Sequence, residues 1–148
     1  MYLAQINIAE AIDNMESETM ADFVNNTDRI NALADASQGF IWRFEEDPEN
    51  PSDSATLLGS DYFLVNMSVW KDRESLFEYV YQSGHKEIFR RKKEWFHSMP
   101  KMHMALWFVD ANHIPSIEEG LARLEHLQTH GESAFAFSFR SKFIPEDL

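Results

Sequence analysis

Apolar and polar positions alternate with a period of two over residues 2–8, where Tyr2, Ala4, Ile6 and Ile8 oppose Leu3, Gln5 and Asn7. That period sends successive side chains to opposite faces, so the segment predicts a strand with one apolar and one more polar side. From Met20 the period lengthens to a helical stripe of Met20, Phe23, Val24, Ile30 and Leu33, with Thr19 and Asp22 at its start and Gly39 beyond its end. Residues 40–44 and 62–70 are aromatic and β-branched runs and predict two further strands. Between them, 45–61 carries two prolines among acids and serines and predicts a long solvated connection. Asp72 can cap a second helix holding Leu76, Phe77 and Val80, and a helical run resumes over 85–97 after Gly84. Residues 102–110 alternate again, Met102, Met104, Leu106 and Phe108 against His103, Ala105, Trp107 and Val109. Ser116 with Glu119 forms a capping-box start for a third helix, Ile117, Leu121, Leu124 and Leu127 its buried stripe, and Gly131 its stop. Residues 134–140 predict a last strand with Phe135, Phe137 and Phe139 on one side, followed by a tail over 141–148.

The order βαββαβ followed by αβ matches the split βαβ arrangement, an α+β ferredoxin-like fold with an antiparallel sheet, read as a single domain over 1–148. Helices are expected on one face of that sheet. The aromatic surface left on the other face predicts a homodimer in which two sheets pack into a barrel about a twofold axis.

The polar sides of the strands locate a candidate pocket. Gln5 and Asn7 lie there on the first strand, Tyr62, Asn66, Ser68 and Trp70 on the third, and His103 with Trp107 on the fourth. Amides, a hydroxyl, an imidazole and large rings suit a small hydrophobic or aromatic molecule, and the same composition would also seal a subunit interface. Trp42 and Arg43 are adjacent and cannot share a face, and Trp42 is counted with Gln5, Asn7, Ser68, Trp70 and Trp107 as a candidate substrate contact. On the wheel of 85–97, His85 and Lys92 fall inside the stripe of Ile88, Phe89, Trp95 and Phe96. A histidine in that setting is either a hydrogen-bonded core residue or a neutral general base, and His85 would also serve as an axial haem ligand. The candidate catalytic residues are therefore His85, His103 and Asn66. His126 and His130 are four apart, a metal-ligand spacing, yet no HExxH pattern or third ligand accompanies them, so no metal site is expected. Arg90, Arg91, Lys92 and Lys93 scatter around the helix and read as solvated charge.

Charge and composition narrow the classes further. With 25 acidic against 13 basic residues the net charge is −12, which repels phosphate backbones and anionic lipids and makes nucleic acid an unexpected partner. No apolar run approaches the roughly 20 residues of a membrane span. The absence of cysteine excludes thiolate nucleophiles, disulfides and cysteine-held clusters. A glycine-rich phosphate loop and a GxSxG elbow are both missing, which disfavours nucleotide cofactors and serine hydrolase chemistry. Residues 1–8 carry no basic start, so the expected location is cytoplasmic.

Several dispersed blocks carry a resemblance: Leu3-Ala4-Gln5 with Asn7, the run 28–37, Gly39-Phe40-Ile41-Trp42-Arg43, Asn66-Met67-Ser68-Val69-Trp70, Ser83-Gly84-His85, Arg90-Arg91 with Glu94-Trp95-Phe96, and Leu121-Ala122-Arg123-Leu124. From Leu3 to about Phe139 the chain resembles a bacterial family of unknown-function domains grouped with the dimeric α+β barrels related to antibiotic-biosynthesis monooxygenases. That resemblance implies a barrel, a dimer and a cavity between helices and sheet. The wider group includes cofactor-free monooxygenases acting on polycyclic aromatics, haem-binding proteins and muconolactone-isomerase-like enzymes. It thus implies no cofactor, with haem as the alternative, and a choice between an oxygenase acting on an aromatic or polyunsaturated molecule and a non-catalytic ligand-binding or dimerisation module.

Overall fold

Strands β1 (Tyr2–Glu10), β2 (Phe40–Arg43), β3 (Phe63–Trp70) and β4 (Met104–Val109) form one antiparallel sheet in the order β2-β3-β1-β4. The computed structural model describes residues 1–45, 62–82 and 90–148. Helices α1 (Ala21–Asp35), α2 (Arg73–Gln82), α3 (Lys92–Trp95) and α4 (Ile117–His130) complete the α+β ferredoxin-like arrangement that the periodicities predict. No described helix is long and apolar enough to cross a membrane.

Register decides which side chains meet. β1 pairs on both edges, and Gln5 stands opposite Ser68 of β3 and Leu106 of β4. Leu3, Gln5 and Asn7 therefore share a face with Asn66, Ser68 and Trp70, here called the amide face. Ala4, Ile6 and Ile8 share the opposite, apolar face with Val65, Met67 and Val69 and with Ala105 and Trp107.

The apolar face is sealed by α4, which buries Ile117, Gly120, Leu124 and Leu127 against it. Close approach needs Gly120, where a Cβ would stand 2.7 Å from Ile6 Cδ1 and 3.1 Å from Met67 Sδ. Local chemistry sets the ends of this helix: Ser116 Oγ accepts from the Glu119 N–H at 3.1 Å, and Gly131 at φ +80° stops it. The amide face carries α1 and α2, with Ala34 and Leu76 packed on Leu3, Trp70 and Leu106. Asp72 starts α2 as expected, its Oδ1 accepting from the Ser75 hydroxyl at 2.7 Å and the Ser75 N–H at 2.8 Å. These bonds hold its carboxyl below the usual range. At the other end of α1, Met20 and Phe23 pack with Trp95 and Ala11.

Three expectations change. Where helices are expected on one face alone, α4 packs on the apolar face while α1 and α2 place Ala34 and Leu76 on the amide face. Residues 134–140 make only a bridge to β4, Phe137 with Leu106 at 2.7 and 3.0 Å, because the Glu132 carboxylate gathers the Ser138 N–H and the Ser138 and Ser141 hydroxyls and winds the segment on itself. Phe135 consequently lies under the Arg123 guanidinium at 3.7 Å, whereas Phe137 packs on Phe108 and Phe143. The helix expected over 85–97 ends at Trp95, since Phe96 turns extended to bridge Ala11. Lys92, placed in its apolar stripe, is exposed. Its residues 85–89, and nearly all of the connection expected over 45–61, lie outside the described residues.

Gly39, between α1 and β2, holds φ +84°, and a Cβ there would overlap the Ser75 side chain that closes the α2 cap. Gly39→Ala is expected to lower unfolding free energy by about 3 kcal/mol, from backbone strain plus overlap. Urea denaturation checks this, and an unchanged midpoint would contradict it.

Candidate functional site

Gln5 sits in the middle of the sheet and is 7% exposed. Its amide nitrogen donates to Asn66 Oδ1 at 2.6 Å and to Ser68 Oγ at 2.8 Å, and Ser68 Oγ also accepts from the Trp70 indole N–H at 2.8 Å. The three bonds make a ladder from exposed Asn66 to buried Trp70. The ladder also orients Asn66: because Gln5 supplies a donor, Asn66 must turn its oxygen inward, which leaves Nδ2 as a donor at the exposed end.

Two residues of the surroundings extend this polar band. Tyr79 of α2 stacks on Trp70 with ring centroids 5.1 Å apart, and its hydroxyl donates to the Ile30 carbonyl of α1 at 3.3 Å. Burial pushes the Tyr79 phenol up to about 12, so it stays a neutral donor at physiological pH. Arg43 pairs in register with Ser68, and its guanidinium reaches Asp35 at 3.0 Å and Glu45 at 2.7 Å. Its Nε is buried with no hydrogen-bond partner among the described residues.

Along β1, Leu3 belongs to one apolar cluster and Ala11 to the next, with Gln5 and Asn7 between them. Helix α1 spans the same interval, from Met20 and Phe23 in the second cluster to Ala34 in the first. Ala34 is its one fully buried residue, in contrast to the four of α4. A helix that closed a core would bury a continuous stripe, so α1 bridges the polar band more than it seals it. Aligned donors beside apolar rings, under a lightly packed helix, are the means to orient a small molecule through a carbonyl or hydroxyl oxygen.

The structure brings together Gln5, Asn66, Ser68 and Trp70, and places Asn7 across from Asn66. It separates the rest. Trp107 stands opposite Ala4 on the apolar face, where it is fully buried, because the register of β4 against β1 puts Leu106 and Met104 on the amide face instead. Trp42 also falls on the far side, opposite Val69, after a bulge in β2. His103 precedes β4 and is exposed, and its carbonyl accepts from Ile8 N–H at 2.9 Å. His85, and with it the haem expectation, lies outside the described residues. His126 and His130 lie with ring centroids 4.6 Å apart, and among the described residues no group of three or more histidine and carboxylate side chains comes together to hold a metal ion. Arg91 of the basic run pairs with Asp22 at 2.9 Å and Glu94 at 2.8 Å. Sequence reasoning missed Tyr79 and left Arg43 unassigned; a charged residue inside an aromatic strand was the available signal for the second.

Ser68→Ala would strip the indole of Trp70 of its acceptor and Gln5 of one of two, leaving buried donors unsatisfied. The expected loss of stability is about 2 kcal/mol, read by chemical denaturation. A variant as stable as the parent would show that the ladder carries no weight.

The comparisons with known proteins agree with this architecture. No curated protein matches the chain. The structure of a conserved protein from Methanosarcina mazei Go1 superposes with a TM-score of 0.52 at 19% identity, over 74% of this chain and 94% of that one. SnoaB, a cofactor-independent oxygenase from Streptomyces nogalater, superposes with a TM-score of 0.50 at 16% identity, over 78% of this chain and 98% of its own. The same values hold for its variant with an asparagine replaced by alanine. At these identities the likeness establishes the fold alone. Residues 2–148 match the family described as a domain of unknown function (DUF3291), and the chain belongs to that family.

Proposed function

We propose that the chain binds a small electron-rich aromatic or polyunsaturated molecule over the Asn66 end of the amide face and oxygenates it without a cofactor. The observation that carries this reading is the Gln5–Asn66 bond at 2.6 Å, which fixes the carboxamide with its oxygen inward and its Nδ2 turned to the exposed end, without a partner among the described residues. Support comes also from SnoaB, a cofactor-independent oxygenase of like fold of which an asparagine-to-alanine variant has been solved. In such a reaction the substrate itself supplies the electrons: a CH2 carbon gives up one hydrogen as a proton to His85, one atom of dioxygen becomes its carbonyl oxygen, and the other departs as water carrying both hydrogens. Asn66 Nδ2–H would steady the oxyanion that forms as the proton leaves.

Oxygen-electrode measurements with a hydroxylated polycyclic aromatic, in flavin-free buffer containing a metal chelator, test the proposal. Uptake by the purified protein is expected, with Asn66→Ala lowering kcat/KM by about 10²-fold while the far-ultraviolet circular dichroism stays unchanged. Binding without uptake would point instead to a non-catalytic ligand-holding module, and an unchanged kcat/KM in Asn66→Ala would remove the assigned role.

A homodimer belongs to the same proposal. Phe77 and Tyr81 of α2 lie with tilted rings 4.4 Å apart at their centroids yet stay 40% and 45% exposed, aromatic surface of the kind that a second copy covers. Sedimentation velocity at micromolar concentration is expected to return a two-chain species, and a clean monomer would contradict it.

A further inference from the structure

Glu119 does not complete the capping box that the sequence suggests. Its carboxylate turns instead to the sheet, where Oε2 accepts from the Trp107 indole N–H at 2.9 Å and Oε1 lies 2.6 Å from His113 Nε2. Trp107 is fully buried and Ser116 Oγ holds the Glu119 backbone N–H, so the carboxylate is fixed from two sides before it meets the imidazole. A carboxylate has no proton to give. Nε2 is therefore the protonated nitrogen of the neutral ring, and Nδ1 is left as the acceptor.

Exposure divides the roles, with the Glu119 side chain 24% and the His113 side chain 49% accessible. His113 borders two cavities. One, of about 300 Å³, is walled mainly by Tyr2, Ile41, Trp42, Val69 and Ile114, with Asn112 as a polar neighbour of His113. The other, of about 340 Å³, contains Glu119, Asp110 and Arg123 in its wall. Since Nε2 is engaged by Glu119, Nδ1 is the ring nitrogen left to meet a ligand in the first cavity.

We propose that this first cavity is a binding site for a small ring compound bearing an acidic hydroxyl, a phenol or an enol, and that His113 takes its proton. The O–H bond breaks, the proton moves to Nδ1, and the imidazolium so formed lies between the new phenolate and the Glu119 carboxylate. No other bond changes and nothing is oxidised or reduced. The apolar walls select the ring. Asp110 and Glu119 disfavour a ligand that arrives already as an anion, while a phenol arrives neutral and ionises only on handing its proton to His113. The site sits at the β4–α4 connection on the apolar-face side of the sheet, and its success or failure is independent of chemistry at Asn66.

The probe is p-nitrophenol, whose visible absorption reports ionisation, titrated into the whole protein at a pH below the phenol's own pKa. A saturable phenolate band is expected with the parent protein, lost in His113→Gln and weakened severalfold in Glu119→Gln. Nitrogen-15 correlation spectra give a second readout that needs no ligand: His113 is expected as the Nε2–H tautomer in the parent and as a mixture in Glu119→Gln. Binding of the neutral phenol, no saturable binding, an equal phenolate band in His113→Gln, or an Nδ1–H tautomer in the parent would each overturn the proposal.

Discussion

A carboxamide buried at the centre of a sheet must find partners, because an unsatisfied buried amide costs about 1–3 kcal/mol. Gln5 meets that demand by donating to both Asn66 and Ser68, and in doing so it ties β1 to β3 through side chains as well as backbone. Much of the amide face is arranged around this requirement. Ser68 is held in place by Gln5 and by Trp70, Trp70 stacks on Tyr79, and Tyr79 reaches the backbone of α1. A polar residue at the middle of the central strand thus sets the rotamer of Asn66 at one end of the face and the seat of two helices at the other.

The two faces of the sheet are covered in different ways, and the difference bears on function. On the apolar side, Gly120 lets the α4 backbone settle onto Ile6, Met67 and Trp107, as a close-packed interior requires. On the amide side, α1 rests on apolar clusters at its two ends and spans polar groups between them. Opening α4 would expose a continuous core, whereas lifting the middle of α1 exposes groups that water or a ligand oxygen can satisfy. Elements that admit ligands are drawn from such weakly packed parts of a fold.

Most elements were legible because their signals are local. The alternation in β1 and β3, Asp72 before α2, Ser116 before α4 and Gly131 after it all act within a few residues. The faces were harder to read. In β4 both alternating sets are apolar apart from His103, and the single imidazole drew Trp107 onto the polar side; yet His103 lies outside the strand, and a one-residue choice of register inverts every side chain. Trp42 and Arg43 posed the same problem, settled by a bulge that no local pattern announces. The C-terminal aromatic alternation failed as a strand because Glu132 captures Ser138 and Ser141, a contact between side chains that no backbone periodicity encodes. Glu119 was visible as a helix-start residue, but its turn towards Trp107 and His113 depends on where the sheet places the indole.

Native-state hydrogen exchange, resolved by residue, tests most directly whether the polar band lies beneath a helix that can open. Amides in the middle of α4 are expected to exchange only through global unfolding, and those in the middle of α1 through a local opening of much lower free energy. Equal protection of the two helices would mean that α1 closes a core as α4 does, and would contradict a ligand site between α1 and the Gln5–Asn66 ladder.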